Sequence, residues 1–355
     1  MMKILSMICT FTLLFSSSIM FKENNCCKIN SNNYIELEKT NDEVERVLTS
    51  QQSRSSYNYV SYNFVSKTLS YNTFSIPVTA SLDNVNQGEK TEPVIFDEVE
   101  FSEDDANTIM PRYSDNRTKV TTVSGIRKAV GQVVSKFGPY KNNVDEQNYY
   151  IFTFGTCFME GMNVLLTNAH VIYGDLTIGD FDDGINNPSF PSSITVYMGI
   201  NGVKRENYTG PISTIDVAHI HAEYIADNDE NYNFDWAVLE SNDDELGLKT
   251  GGWFGKAWTS GSISKEDIQT DGYPGDLAED GKPVMYTSTE KVKSSATYTL
   301  KTECYSSNGQ SGSPYHRQGI VYGILAFSET TLWWQSASGG PRITQWLYEF
   351  LQRYV

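Results

Sequence analysis

The sequence predicts an all-β body that ends in a single helix. From residue 120 onward, short runs of β-branched and aromatic residues alternate with Gly, Asn, Asp and Pro, a pattern typical of short strands joined by turns. Dipeptides that favour tight turns separate these runs, as at Asp183-Gly184, Asn201-Gly202 and Asp280-Gly281. Only the C-terminus departs from this pattern.

Runs of four to ten residues satisfy the strand pattern at nine places. They are residues 131–135, 150–159, 164–167, 194–198, 236–240, 267–273, 284–288, 297–302 and 320–327. At the C-terminus the apolar residues instead recur at intervals of three and four, at Ile343, Trp346, Leu347, Phe350 and Leu351. That spacing predicts an amphipathic helix that packs one face onto the body.

Residues 1–27 have the composition of an export signal. Lys3 precedes an almost unbroken apolar run over residues 4–15, and three serines at 16–18 supply small residues after it. The run is too short to cross a bilayer, although a retained N-terminal anchor extending to Phe21 is the alternative. We therefore expect a secreted, extracellular protein without stable membrane insertion.

Residues 28–109 differ in composition from the rest of the chain. Asn, Ser and Tyr dominate residues 50–71, residues 97–105 are densely acidic, and only residues 60–65 show strand periodicity. A disordered linker, an adhesive arm and a removable propeptide all fit this composition. The position between an export signal and the body favours a propeptide, followed by one folded domain over residues 110–355.

The chain is acidic, with a formal net charge of −17 over 355 residues. The charge is spread along the sequence, since residues 1–109 contribute −7 and residues 110–355 contribute −10. No face rich in Lys and Arg is expected that could neutralise phosphates, so we predict no nucleic-acid partner. The acidity indicates solubility rather than a binding site.

Three short segments carry the residue types of a nucleophilic hydrolase. In chain order they are Thr167-Asn168-Ala169-His170, Asp235-Trp236-Ala237 and Gly309-Gln310-Ser311-Gly312-Ser313-Pro314. A serine hydroxyl becomes nucleophilic when an imidazole takes its proton and a buried carboxylate orients that imidazole. The order His, Asp, Ser is that of the chymotrypsin-like double barrel, and differs from the orders in subtilisins and esterases. We therefore predict a serine endopeptidase with His170, Asp235 and Ser311 as its catalytic triad.

Asp235 is chosen over four neighbouring acids because of its position in the sequence. It directly precedes the apolar run 236–239, and this order predicts that Asp235 lies at the start of a buried strand. The competing acids lie in polar, acidic runs and are expected in solvated loops; they are Asp227, Asp229, Asp243 and Asp244.

Two glycines flank the predicted nucleophile. Because Gly309 and Gly312 lack side chains, the backbone around Ser311 can turn tightly and approach a substrate closely. The backbone N–H groups of Gly309 and Ser311 are the predicted oxyanion hole, which stabilises negative charge that develops on the substrate carbonyl.

The remaining cysteines and histidines carry weaker signals. Cys157 and Cys304 fit a disulfide or two buried thiols equally well. His219 and His221 share one face of a strand with spacing that suits zinc, but no further ligand lies near, so we expect a surface strand edge. His316 is expected in a hairpin turn after the nucleophile. We predict no metal and no cofactor.

The motif segments resemble the chymotrypsin-like fold in its V8 protease and glutamyl endopeptidase family. The resemblance runs from about residue 110 to the C-terminus; besides the three triad segments it rests on Asp115-Asn116-Arg117-Thr118-Lys119-Val120, Gly272-Tyr273-Pro274-Gly275-Asp276 and the helix after Arg342-Ile343-Thr344. It implies two six-stranded antiparallel β-barrels with a C-terminal α-helix, preceded by a signal peptide and a propeptide. It also implies a protein or peptide substrate, and we expect a monomer.

The substrate pocket departs from that resemblance. Glutamate-specific members carry a His directly after a Gly-Ile pair in the strand that follows the nucleophile, whereas this chain has Leu325 there. Ser306 stands at the family's other carboxylate-binding hydroxyl, and Ala326 and Phe327 complete the predicted substrate-binding set. Because Leu offers a buried carboxylate no hydrogen bond, we expect little preference for Glu and acceptance of apolar or small side chains.

Two other functions are considered. An α/β-hydrolase esterase would need Gly-x-Ser-x-Gly, with Asp and His after the nucleophile, and the order found here excludes it. A triad-bearing toxin or surface-protein-binding module, with narrow or little proteolytic activity, stays open as the alternative function.

Overall fold

The structure is a computed structural model that describes residues 11–13, 19–22, 56–75, 88–95, 115–141, 148–174, 188–226, 232–331 and 334–354. Its strands are β1 (Phe11–Leu13), β2 (Ile19–Lys22), β3 (Ser56–Asn63), β4 (Thr68–Ser75), β5 (Gly88–Lys90), β6 (Val94–Ile95), β7 (Thr118–Lys119), β8 (Val130–Lys141), β9 (Asn148–Met159), β10 (Val164–Thr167), β11 (Ser193–Met198), β12 (Ile212–His221), β13 (Ala237–Ser241), β14 (Gly252–Trp253), β15 (Gly255–Thr259), β16 (Asp267–Gly272), β17 (Tyr286–Ser295), β18 (Thr299–Thr302), β19 (Pro314–Arg317), β20 (Ile320–Ile324), β21 (Phe327–Thr331) and β22 (Trp334–Pro341). Its α-helices are α1 (Ala222–Ala226), α2 (Leu246–Lys249) and α3 (Gln345–Leu351).

The first barrel is a closed ring of six antiparallel strands. Its order is β11-β8-β9-β10-β13-β12, and β12 pairs back onto β11 to close it. Side chains alternate as a barrel wall requires: Ile194, Val196 and Met198 of β11 are buried, and the residues between them are half-buried. The prediction of a six-stranded barrel is confirmed here.

Six consecutive strands of the larger sheet, β22-β18-β17-β16-β19-β20, correspond to the predicted second barrel. A single bridge between Gly323 of β20 and Arg342, the residue directly after β22, joins the two ends of this set. Its core is a separate apolar cluster of Ile268, Val292, Leu300, Cys304, Tyr315 and Leu325. The predicted site segments come from strand ends and loops.

Each of the first eight predicted strands, from 131–135 through 297–302, overlaps an observed strand. The ninth, 320–327, is divided into two strands. β20 pairs with β19 and β21 pairs with β22, and residues 325 and 326 lie between these two strands. The Leu325 amide donates to the Ser313 carbonyl and the Ala326 amide to the Gly339 carbonyl. At the predicted turn Asp280-Gly281 both residues have positive φ, 52° and 73°, the geometry of a type I′ hairpin turn. Asp183-Gly184 lies outside the described residues.

The C-terminal helix α3 confirms the predicted amphipathic pattern. Thr344 caps its N-terminus, since the Thr344 hydroxyl accepts a hydrogen bond from the Leu347 amide at 3.2 Å. The apolar face is buried, including Trp346 and Phe350. Among the described residues no helix is both long and apolar enough to cross a membrane.

A β-hairpin from residues 56–75 extends the first barrel. β3 and β4 pair over their full length, and residues 59–63 of β3 pair with β12. The expectation that only residues 60–65 have strand character is therefore wrong for this part of the 28–109 region. The hairpin was missed because its tyrosines pack against a distant helix: Tyr57 lies 5.0 Å from Trp346 and Tyr59 lies 4.8 Å from Phe350, between ring centroids.

Other short strands near the N-terminus also pair with the body. β5 pairs with β15 and β6 with β14. β1 pairs with β21 and β2 with β9, although most of the predicted export signal lies outside the described residues. The division into residues 1–27, 28–109 and 110–355 stays a prediction.

Replacing Phe74 by Ala is expected to destabilise the protein by about 3 kcal/mol, because the change leaves a cavity in an aromatic cluster. Phe74 is 4% exposed, its ring lies 5.8 Å from Phe350, and the Arg353 guanidinium lies 3.9 Å above it. Urea unfolding measures the loss. Val65→Ala is the matched control, since Val65 is 72% exposed in the same hairpin; an equally small effect of both variants would show that the hairpin does not stabilise the body.

Cys157 and Cys304 are buried thiols that form no disulfide with each other, which decides between the two alternatives left open by the sequence. Cys157 lies in the first core and Cys304 in the second. Burial raises the pKa of both thiols, that of Cys304 to about 11, so neither is an activated nucleophile.

Candidate active site

The pairing of β10 with β13 brings His170 and Asp235 together. Thr167 at the end of β10 faces Ala237 at the start of β13, so the residues just beyond these ends are neighbours. His170 lies in a short 3-10 helix, Ala169–Val171, whose two other residues are buried and anchor it. Its side chain is 11% exposed, whereas that of Asp235 is 1% exposed.

Both carboxylate oxygens of Asp235 accept hydrogen bonds from His170. The His170 Nδ1 donates to Asp235 Oδ2 at 2.6 Å, and the His170 backbone N–H donates to Asp235 Oδ1 at 3.0 Å. Asn168 Nδ2 donates to the Asp235 backbone carbonyl at 2.7 Å, which holds the backbone of Asp235 in place as well. A proton on Nδ1 leaves Nε2 as the basic nitrogen of the ring.

The Ser311 loop packs against the same part of β9 as the His170 turn. The Thr156 amide donates to the Ser311 carbonyl at 2.7 Å. A Cβ placed on Gly155 would lie 2.7 Å from Cγ1 of Val171 and 3.2 Å from the Ser311 carbonyl oxygen. The His170 turn and the Ser311 loop therefore both pack against Gly155 of β9. Ser311 itself is buried.

Close backbone contacts require the glycines on both sides of Ser311. Gly309 has φ +93°, and a Cβ there would lie 2.5 Å from the Tyr273 carbonyl oxygen. A Cβ on Gly312, at φ +91°, would lie 1.8 Å from the Thr156 carbonyl oxygen. The Thr156 hydroxyl also donates to the Gly309 carbonyl at 2.9 Å, a contact for which the sequence held no signal.

The predicted substrate-binding residues occupy different environments. Leu325 is fully buried in the second apolar core rather than at an open pocket wall. Phe327 is 5% exposed, and its ring lies 5.3 Å from that of Tyr232, just upstream of Asp235. Ser306 is buried five residues before Ser311, and Ala326 is buried in the break after β20. Packing in the second core therefore explains the leucine at position 325 without a role in substrate binding.

The other acids considered for the triad lie away from this dyad or outside the described part of the chain. Asp243 pairs with Lys249 at 2.5 Å, and Asp244 accepts from Asn163 at 3.3 Å. Asp227 and Asp229 are not among the described residues.

The expectations for the three remaining histidines are wrong. β12 lies between β13 and β3, so its residues His219 and His221 are buried in the sheet instead of lying at a surface edge. His219 Nε2 bonds to Glu240 at 2.6 Å. His316 lies in β19, not in a turn, and its Nε2 bonds to the buried Asp271 at 2.9 Å. These hydrogen bonds join neighbouring strands and stabilise the fold.

Acid is expected to destabilise the protein through His221, because burial lowers its pKa to about 3. Its Nδ1 accepts from the Glu223 amide at 3.1 Å, and its ring stacks on Phe234 at 4.1 Å, so the neutral ring is favoured. The unfolded chain binds a proton below about pH 6.5 while the folded chain does not. Stability is therefore complete above that pH and falls as pH decreases, by about 1.4 kcal/mol per unit.

The measurement is urea unfolding of wild type and His221→Gln at pH 7 and pH 5. We expect wild type to lose about 2 kcal/mol more than the variant over this interval. Equal losses in both proteins would show that His221 does not titrate as its burial implies.

The family model described as Trypsin matches residues 136–332, more than half of the chain and all three motif segments. The chain belongs to the trypsin family. A trypsin-like serine protease is a hydrolase whose substrates are peptides, so the family supports peptidase activity here. No curated protein matches the sequence.

Solved structures show the same fold at low identity. A Glu endopeptidase in complex with MPD aligns with TM-score 0.52 and 20% identity over 68% of this chain and 97% of that chain. The thermostable serine protease AL20 from an extremophilic microorganism aligns with TM-score 0.47 and 12% identity over 64% of this chain and 99% of that chain. The first likeness shows that this trypsin-family chain has the chymotrypsin-like fold.

Proposed function

We propose that this chain is a secreted serine endopeptidase that cleaves peptide bonds through a covalent Ser311 ester. The observation that carries the proposal is the 2.6 Å hydrogen bond from His170 to the buried Asp235, next to the glycine-flanked Ser311 loop. A buried carboxylate bound to Nδ1 is the arrangement that makes Nε2 a general base.

The reaction would proceed in two acyl transfers. Ser311 Oγ attacks the peptide carbonyl carbon while His170 Nε2 takes the hydroxyl proton, and the N–H groups of Gly309 and Ser311 bind the oxygen that becomes negative. The C–N bond then breaks, and His170 gives the proton to the leaving amine. Water, activated by the same imidazole, hydrolyses the ester.

The full-length chain is proposed to be an inactive precursor that is exported and then cleaved between Lys90 and Met110. The resemblance of residues 115–120 to the start of mature V8-type enzymes supports this range. N-terminal sequencing of the secreted enzyme tests the range, and a terminus before about Val60 would contradict it.

Cleavage is proposed to show little preference for Glu. Leu325 replaces the histidine that would meet a glutamate carboxylate, and His316 cannot take over because it is bonded to Asp271. Because Leu325 is itself packed in the second core, this position offers a substrate carboxylate no hydrogen bond to replace those that it loses to water. A peptide library should therefore show cleavage after apolar or small residues; cleavage confined to Glu or Asp would contradict this pocket assignment.

Incubation with casein and with a fluorophosphonate probe tests the proposed function. An endopeptidase would degrade casein and become labelled, and the label would be lost in Ser311→Ala. Labelling without casein cleavage would favour the alternative, a toxin or surface-protein-binding module with very narrow activity. Absence of both in the secreted, processed enzyme would overturn the proposal.

A further inference from the structure

Arg117 is buried next to the loop that precedes the nucleophile. It directly precedes β7, and only 1% of its side chain is exposed. Two carboxylates neutralise it: Nη2 lies 2.6 Å from Oδ2 of Asp115 and 2.6 Å from Oδ2 of Asp276. Burial alone would lower the pKa of this guanidinium, but the bonds to these two carboxylates raise it, so the charge is retained.

The same guanidinium also holds the nucleophile loop. Its Nη1 donates to Ser307 Oγ at 2.7 Å and to Gln310 Oε1 at 3.2 Å. Gln310 Oε1 further accepts from the Ser307 amide at 3.0 Å, and the Gln310 amide donates to the Ser307 carbonyl at 3.1 Å. Arg117 thus closes a turn of four residues that contains Gly309 and ends directly before Ser311.

Neighbouring residues add contacts to the same loop. Asn116 Oδ1 accepts from the Tyr305 amide at 3.0 Å, and the Arg117 guanidinium lies 4.8 Å from the Tyr305 ring centroid. The Gly275 amide also donates to the Asn308 carbonyl at 2.7 Å. Residues 115–117 and 275–276 therefore both bind the loop 305–310.

We propose that Arg117 is a positioning residue of the oxyanion hole, which holds the Gly309 amide in place by tying Ser307 and Gln310 to Asp276. This inference rests on the proposed function, since it assigns the Gly309 amide its role there. Because Gly309 has φ +93° and no side chain to anchor it, contacts made by its neighbours must fix the direction of its N–H. The segment 115–117 must then be docked for the enzyme to be active.

The test compares Arg117→Gln with Lys119→Gln in the mature enzyme. Lys119 is the matched control because it carries the same charge two residues away, but pairs with Glu279 at the surface. Removing a donor from an oxyanion hole lowers kcat by about 10²-fold to 10³-fold, so its displacement in Arg117→Gln should lower kcat on the order of 10-fold to 100-fold. We expect KM to change less than about threefold, and the control to keep both constants.

Affinity for a peptide boronate, which places an oxygen in the oxyanion hole, should fall in Arg117→Gln in parallel with kcat. A purely structural role would not produce this split between kcat and KM. Added guanidinium ion should restore part of kcat in Arg117→Ala and none in wild type. If Arg117→Gln does not fold, Asp276→Asn, which keeps the Asp115 pair, is used instead and should show the same split.

Wild-type kcat in a folded Arg117→Gln enzyme, or an effect on KM alone, would overturn the inference. Fluorophosphonate labelling of the wild type separates this result from failure of the proposed function. If the wild type is labelled at Ser311 and the variant hydrolyses peptides equally fast, only the role of Arg117 is wrong. If the wild type is not labelled, the proposed nucleophile is wrong.

Discussion

Replacing Ser311 by Ala is expected to lower peptide hydrolysis by about 10⁶-fold, because the proposed mechanism has no second nucleophile. Cys157 and Cys304 cannot substitute, since both thiols are buried and their raised pKa values keep them protonated. The variant should keep its circular dichroism spectrum and its melting temperature. The rate is measured on a peptide amide with the purified mature enzyme.

Ser313→Ala is the matched control for this variant. Ser313 is a buried serine in the same loop, and its hydroxyl has no hydrogen-bond partner among the described residues, so its removal should change the rate little. Substantial activity in Ser311→Ala, or an equal loss in both variants, would contradict the assignment of Ser311.

Replacing Asp235 by Asn is expected to lower kcat by about 10⁴-fold with little change in fold. Asp235 accepts hydrogen bonds on both oxygens from His170, at 2.6 Å and 3.0 Å. An amide group offers one acceptor and one donor, so it must either lose the backbone bond or donate to Nδ1. In the second case the proton of the ring moves to Nε2, which can no longer act as a base.

The surface acid Asp243 provides the comparison for Asp235. Asp243→Asn removes an exposed pair with Lys249 and should leave the rate on a peptide amide unchanged. Activity of Asp235→Asn within tenfold of wild type would show that another carboxylate orients His170.

Local patterns predicted much of the fold and the site. The apolar run after Asp235 places it at the start of β13, and the pairing of Thr167 with Ala237 then brings it to His170. The recurrence of apolar residues at intervals of three and four likewise predicted α3. Both inferences rest on residues that are neighbours in sequence or on a motif with a fixed spatial meaning.

Features that depend on distant contacts could not be predicted. The hairpin of residues 56–75 has few aliphatic residues, and its Tyr57 and Tyr59 pack against α3, almost three hundred residues later in the sequence. Arg117 was part of a recognised motif, but its partners Asp276 and Gln310 lie 159 and 193 residues away. His219 and His221 were assigned to a surface edge because the pairing of β12 with β3 has no local signal.

The most direct test of the central mechanism is to trap the covalent intermediate. The mature enzyme is mixed with an activated peptide ester, quenched in acid, digested and analysed by mass spectrometry. We expect one acyl group on the peptide that contains Ser311, formed in a burst before steady state and absent when His170 is replaced by Ala. Turnover with no adduct on Ser311, or an adduct on a different residue, would contradict the proposed mechanism.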